Sequence, residues 1–312
     1  MLRIGLGSMG LNMSLNLQNH LSKTGGLPLV FTNRTLSRGA PLEAIGGKSM
    51  ATVGQVVQAS DIIFSCLSND EALTETINTA IASGPTEGKT FVDCSTVHPE
   101  TTIRLAETVS NTKATYVAAP VFGASTAAAA GQLIFVTAGP ASSKQKITPY
   151  MTGVMGRSII DLGESQEKAS LMKITGNIIV VGLMEVLSEA HVFAEKTGLG
   201  SEILEAMIRD MFGPVAASYS ARITSGAYAP APGEKAGFDV ALAIKDTRHA
   251  LACAEGVGVK LDVAEAASGH LQLAKETQGQ RALDSSSMYG AIRVLSGLDF
   301  LSDVIKKRDT KS

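Results

Sequence analysis

The sequence predicts an α/β domain with a doubly wound, mostly parallel sheet, followed by an all-α domain. Three observations carry this expectation. Over residues 1–162 short β-branched runs alternate with helical stretches, the pattern of parallel strands joined by crossover helices. After Gly163 convincing strands stop and long helical stretches follow. The first strand-like run leads directly into "GLGSMG" (5–10), a glycine-rich turn that opens a helix.

In chain order, strands are expected at 2–6, 29–32, 61–67, 90–95, 115–120, 132–139 and 157–163, where Val, Ile, Phe and Thr cluster. Helices are expected between them at 9–22, 36–45, 70–82, 99–110 and 142–152. The second half reads as helices at 164–197, 201–211, 239–257, 262–278 and 288–297, with the Pro/Gly-rich loop "TSGAYAPAPGEKAG" at 224–237. This gives an α/β domain at 1–162 and an all-α domain at 163–312, opened by a long interdomain helix.

Two domains also suit 312 residues of 45% hydrophobic and 18% charged composition, which excludes a disordered chain. A net charge of −2 argues against a phosphate-tracking surface, and the one basic cluster, Lys306, Lys307, Arg308 and Lys311, is expected to be a frayed, solvated end. Cys66, Cys94 and Cys253 are widely spaced and read as buried thiols of a reducing, cytoplasmic compartment. Gly182 and Glu185 interrupt the best apolar run, so no membrane span is expected, and a strand starting at Leu2 leaves no room for a targeting peptide. The five histidines show no metal-binding pairing, no G-x-S-x-G elbow occurs, and "GPTEGKT" (84–90) lacks P-loop spacing.

The turn at 5–10 is the strongest local signal. Gly5 permits the tight turn, Gly7 lets a pyrophosphate approach the backbone, and Gly10 packs helix on strand, with Ser8 and Met9 between them. The phosphates would sit at the helix N-terminus. Arg3 is an odd residue for a parallel strand buried on both faces. At the end of the second strand, where an NAD site carries a carboxylate, the chain reads Asn33, Arg34 and Thr35, with Arg38 one turn on. A guanidinium beside a hydroxyl suits a 2′-phosphate, so NADP (NADPH) is the expected cofactor.

A lysine interrupts the apolar stretch "ASLMKITGNIIVVGLMEVLSEA". On a helix beginning near Glu164, Gln166, Ser170, Lys173 and Asn177 share one stripe. Lys173 and Asn177, four apart, can present an ammonium and an amide to one small ligand. Together with "DCSTVHPETT" (93–102), "APVFGASTAAAAGQL" (119–133), "KITGN" (173–177) and "FDVALAIKDTRHA" (238–250), the glycine turn resembles the β-hydroxyacid dehydrogenases over nearly the whole chain. That family includes 3-hydroxyisobutyrate dehydrogenase, glyoxylate and succinic semialdehyde reductases and, more distantly, 6-phosphogluconate dehydrogenase.

The resemblance implies a Rossmann domain followed by an all-α domain, dimerising through the helical half. It implies Lys173 as general acid/base, Asn177 as a substrate ligand and Thr96 beside the nicotinamide, where cofactor and substrate meet. Leu67, Ser68 and Asn69 would touch the cofactor, Phe122, Gly123 and Ala124 would form the substrate loop, and Lys245 and Asp246 would close the site. The family's usual P-V-S-G-G loop here reads Pro120-Val121-Phe122-Gly123-Ala124. A serine hydroxyl is therefore replaced by an apolar wall, which suggests a bulkier or less polar substrate. The expected activity is interconversion of a small aldehyde or keto acid with its hydroxy acid. Imine reduction and a non-catalytic NADP-binding interaction protein are the alternatives, and no nucleic-acid or membrane partner is expected.

Overall fold

Short runs of β-branched and aromatic residues, suited to pleated pairing, form one parallel sheet in the computed structural model, which describes residues 1–310. The strands are β1 (Leu2–Ile4), β2 (Val30–Thr32), β3 (Lys48–Ser49), β4 (Ile62–Ser65), β5 (Thr90–Asp93) and β6 (Thr115–Ala118), in the order β3-β2-β1-β4-β5-β6. The order reverses at β1, which pairs with β2 on one side and β4 on the other. That reversal opens the crevice where open α/β sheets bind ligands.

Helices cover both faces. On one, Met13, Leu17 and Leu21 of α1 (Ser8–Lys23) pack on Phe31, Phe64 and Val92. On the other, α3 (Val53–Gln58), α4 (Asp70–Ala82) and α5 (Pro99–Ser110) place Val56, Leu73 and Leu105 against Ile63, Phe91 and Tyr116. Each fully buried Leu or Phe contributes about 1.5–3 kcal/mol. Local chemistry sets the helix starts: Thr52 and Gln55 form a capping box on α3, Asn69 caps α4, and Pro99 opens α5 behind His98. The short α2 (Ala40–Glu43) follows a single 3₁₀ turn.

A second, three-stranded sheet follows, made of β7 (Val121–Phe122), β8 (Leu133–Thr137) and β9 (Gly156–Asp161), with α6 (Ser125–Ala129) and α7 (Ala141–Met151) between them. β7 runs antiparallel to β8 and β9 parallel to it. The sequence reading omitted β3, α3, β7 and α6, which are too short to show a period.

The long helix α8 (Glu167–Thr197) begins three residues later than the sequence suggested. The chain divides into two compact units, Met1–Lys173 and the part from Ile174 onward, within this helix. The sequence boundary at 162/163 lies in the loop between β9 and α8. By length and composition α8 is apolar enough to cross a membrane, with an 18-residue window of mean hydropathy 1.6, because the interruptions at Gly182 and Glu185 do not break its average. Yet Val181, Met184 and Leu187 belong to a packed core, and Glu185 pairs with His270 at 2.6 Å.

The second unit is helical. It adds α9 (Ser201–Thr224), α10 (Val240–Gly256), α11 (Asp262–Gln278), α12 (Met288–Leu295) and α13 (Asp303–Asp309) around Met184, Tyr228, Leu271, Met288 and Phe300. α9 is broken at Gly213, whose φ of +75° precedes Pro214, and then resumes, so the sequence reading that stopped at residue 211 saw only its first half. The Pro/Gly-rich loop is pinned by Asp284, which is buried and accepts from Phe238 N at 2.8 Å, Arg222 Nη2 at 3.0 Å and Ser286 Oγ at 2.8 Å. The basic cluster corrects an expectation. Instead of fraying, Lys306, Lys307 and Arg308 lie in α13, where the lysines stay exposed, Lys306 pairs with Asp299 and Arg308 Nη2 donates to Ala229 O at 2.8 Å. Lys311 lies outside the described residues.

Removing the Asp284 carboxylate strands the half-buried Arg222 guanidinium and two backbone donors. Asp284→Ala is expected to cost about 3–5 kcal/mol in urea unfolding.

Candidate active site

The glycine turn is dictated by contact. A Cβ on Gly5, whose φ is +88°, would stand 2.4 Å from Cys66 O, and one on Gly10 would stand 2.1 Å from Gly5 O. Neither position can hold a side chain. Gly7 is different: it is exposed and nothing lies within 4 Å of where its Cβ would be. The helix α1 starts there with no side-chain cap and no acidic residue in its first turn. Uncapped N–H groups, the positive end of the helix dipole and open space at Gly7 fit a dinucleotide's pyrophosphate. Ser8 is exposed and Met9 half-buried beside them.

Asn33 holds this turn in place. Its Oδ1 accepts from Leu6 N at 2.9 Å and its Nδ2 donates to Thr35 O at 2.8 Å. A residue expected to meet the cofactor thus also stitches β2 to the glycine loop. Arg34, Thr35 and Arg38 are exposed at the same strand end, and among the described residues neither arginine is in an ion pair.

The ends of β4 and β5 carry polar residues to which the sequence reading gave no role. Asp93 is buried and accepts from Ser65 Oγ at 2.8 Å and from Ser95 Oγ at 2.6 Å, while Ser95 Oγ in turn accepts from Leu67 N at 2.9 Å. Asp70 accepts from His98 N at 2.8 Å, tying the loop after β4 to the loop after β5. Leu67, exposed Ser68, half-buried Asn69 and half-buried Thr96 are therefore held on two loops locked to each other. The signal was available: Ser65, Asp93 and Ser95 are polar residues inside apolar runs. Burial pushes the Asp93 carboxyl above its ordinary range, opposed by the bonds from Ser95 and Ser65. Burial, reinforced by Asp93, likewise holds the Tyr116 phenol well above its usual value.

Beyond β6, Gly123 turns the substrate loop with φ +130°, and a Cβ there would meet Leu133 at 2.8 Å. The loop and α6 are moored to α1, since Asn12 Nδ2 donates to Ser125 O at 3.1 Å and Asn16 Nδ2 to Ala128 O at 2.8 Å. Phe122 is half-buried, and exposed Ala124 precedes α6. The Lys173 ammonium lies over the Phe122 ring, 4.5 Å from its centroid, a distance at which the ring face attracts a cation. Of the stripe read from sequence, Ser170 is committed to the core, sharing a 2.7 Å hydrogen bond with Thr102.

In the second unit Asn177, Asp246 and Lys245 form one cluster. Asn177 Nδ2 donates to Asp246 Oδ2 at 2.6 Å, and Lys245 Nζ lies 3.1 Å from Asp246 Oδ1. Asn177 and Asp246 are buried and Lys245 is half-buried. A buried amide, carboxylate and ammonium so arranged hold one another in fixed rotamers. Each unit thus assembles its own share of the expected residues: the glycine loop, strand-end loops, Phe122 and Lys173 in the first, and Asn177, Lys245 and Asp246 in the second.

Because the folded-state value of Asp93 lies above that of the unfolded chain, its contribution to stability is complete below the ordinary carboxylate range and is lost as pH rises through the raised value. Asp93→Asn should flatten that decline. Urea unfolding of both proteins in steps from pH 3 to pH 8 checks this, the variant being expected to gain relative to wild type as pH rises.

Comparison with known proteins bears on the same elements. Residues 2–163 match the family described as the NAD binding domain of 6-phosphogluconate dehydrogenase, and residues 168–292 match the NAD-binding domain of NADP-dependent 3-hydroxyisobutyrate dehydrogenase. The chain is 33% identical to the NADH-dependent oxidoreductase ucdB of Aspergillus ustus, over 94% of this chain and 98% of that one. It is 31% identical to the chloroplastic glyoxylate/succinic semialdehyde reductase 2 of Arabidopsis thaliana, over 93% of this chain and 78% of that one. Its fold is similar to the crystal structure of 3-hydroxyisobutyrate dehydrogenase from Salmonella typhimurium, with a TM-score of 0.80 at 17% identity, covering 92% of this chain and 98% of that one. A glycine turn built for a dinucleotide, a parallel sheet followed by a helical unit and these full-length matches lead to one conclusion: the chain belongs to the β-hydroxyacid dehydrogenase family and is an NAD(P)-dependent oxidoreductase.

Proposed function

We propose that the protein uses NADPH to interconvert a small aldehyde or keto acid and its hydroxy acid, with Lys173 as general acid and base. The observation that carries this reading is the half-buried Lys173 ammonium held 4.5 Å over the Phe122 ring on the substrate loop. Nicotinamide supplies the hydride chemistry when bound. Lys173 stabilises the developing alkoxide and gives it a proton, and in the reverse direction its amine takes the proton back. In this proposal Asn177, whose amide Asp246 fixes, is a substrate ligand one helical turn after Lys173, and Thr96 contacts the nicotinamide. Gly123 and Ala124 leave the loop backbone accessible, whereas Phe122 favours a substrate with an apolar flank.

The reading of NADP rests on Arg34, Thr35 and Arg38, which are exposed at the end of β2 where a carboxylate would select NAD. The Aspergillus relative is named for NADH, so cofactor choice is the sharpest discriminator. A homodimer is supported by an apolar stripe in the second unit. Ile179, Val186 and Phe193 recur at seven-residue intervals on α8 and are all exposed, and Ile203, Met207, Met211 and Val215 line α9. No cysteine is in a disulfide, which favours a cytoplasmic setting. Reduction of C=N bonds is the second reading, favoured by the apolar Phe122 wall.

A steady-state panel tests these points with NADPH or NADH against glyoxylate, succinic semialdehyde, methylmalonate semialdehyde, less polar aldehydes and cyclic imines. Lys173→Ala is expected to lower kcat about 10²–10⁴-fold on carbonyl substrates while NADPH still binds. Imine turnover that survives this substitution would shift the assignment to imine reduction. Arg34→Ala should raise the KM for NADPH about tenfold, a loss of about 1.4 kcal/mol, and leave that for NADH unchanged.

A further inference from the structure

Arg3 stands in the central strand β1 and is completely buried. Its neighbours across the sheet are Phe31 and Phe64. Nη2 donates to Met13 Sδ at 3.3 Å, a weak acceptor, while Nε and Nη1 have no hydrogen-bond partner. Among the described residues no ion pair involves Arg3. The other titratable group it meets is the Cys94 thiol, which burial pushes up to about 12 against the opposing charge and hydrogen bond of Arg3 itself, so it supplies no negative charge near neutral pH. Asp93 follows the adjacent register and lies on the opposite face of the sheet, among the residues packed on α3, α4 and α5.

The guanidinium lies directly beneath the first turn of α1. A Cβ on Gly10 would stand 3.6 Å from Nη2. The turn above it is the uncapped N-terminus whose dipole is also positive and which holds no acidic residue. Two positive features therefore lie close together at the first turn of α1, and one of them is a cation in a low-dielectric interior, where an unpaired charge is costly and its field reaches far. An anion above Gly7 relieves both. With an apolar residue at position 3 only the helix terminus would remain, and that residue would pack on Phe31 and Phe64 without cost.

We infer that Arg3 is a positioning residue for the dinucleotide, a buried counter-charge that draws the pyrophosphate onto the α1 N-terminus from below the loop. The protein without cofactor is destabilised by this cation, and binding returns the difference. The inference rests on the dinucleotide reading of the glycine turn and extends the binding determinant beyond that turn into the strand.

The test uses Arg3→Met, which keeps the length and removes the charge, and Arg3→Lys, which keeps the charge. Calorimetric melting of each protein with and without cofactor is paired with dissociation constants for NADPH and NADH from nicotinamide fluorescence. The cofactor-free Arg3→Met protein is expected to melt at or above the wild-type temperature. Its affinity for whichever dinucleotide the wild type binds should fall about tenfold, and the shift in melting temperature on adding that cofactor should shrink. Arg3→Lys should bind within about threefold of wild type. Unchanged affinity in Arg3→Met overturns the inference. So does weaker binding joined to a lower melting temperature of the cofactor-free variant, or its failure to fold, because either marks Arg3 as a packing residue. A wild-type protein that binds neither dinucleotide would instead refute the cofactor reading itself.

Discussion

Everything in the first unit is arranged around one close approach, the contact of Gly10 with the carbonyl of Gly5, where a Cβ would sit 2.1 Å from an oxygen. That contact fixes how α1 leaves β1. It thereby sets the angle at which Met13, Leu17 and Leu21 lie across Phe31, Phe64 and Val92. The same helix carries Asn12 and Asn16, whose amides hold α6 and the loop after Gly123. A single backbone approach therefore places both the phosphate-facing turn and the loop that faces the substrate. A larger residue at either glycine would move both together.

The alternating half of the chain was legible because its elements announce themselves locally. The helices expected at 70–82 and 99–110 coincide with α4 and α5, whose starts are written in Asn69 and in His98-Pro99. The turn at 5–10 and the lysine in an apolar helix were equally plain. What the sequence hid depends on distant partners or on very short segments. α13 is ordered by Arg308 reaching Ala229 and Lys306 reaching Asp299, contacts that leave no local trace. Asn33 read as a cofactor contact, yet its hydrogen bond to Leu6 N shows a bracing task that only a 27-residue separation in sequence closed by folding reveals. Arg3 was visibly out of place, but the reason needs the turn of α1 above it.

Polar groups at the strand ends are buried in sets that satisfy one another, not scattered singly. Ser65, Asp93, Ser95 and Leu67 N form one chain of hydrogen bonds at the mouth of the sheet, and Asn177, Asp246 and Lys245 form another in the helical unit. Such sets lock side chains more firmly than apolar packing does, because every broken bond leaves a buried group unmatched. The residues expected to do chemistry are thus held by rigid neighbours on their own side of the chain.

The anchoring of α13 also bears on how the chain is made. Arg308 accepts its place from the carbonyls of Gly226 and Ala229, nearly eighty residues earlier in synthesis, and Arg281 is paired with Asp309 at 2.9 Å. The loop that leads into α10, held first by Asp284 and Arg281, therefore gains its last hydrogen bonds only once α13 has been made. Tyr228 likewise waits for the Phe300 carbonyl that its hydroxyl needs, made just before α13. Completion of this unit is a late event of synthesis, whereas the parallel sheet has all its strands in hand while the helices are still being made.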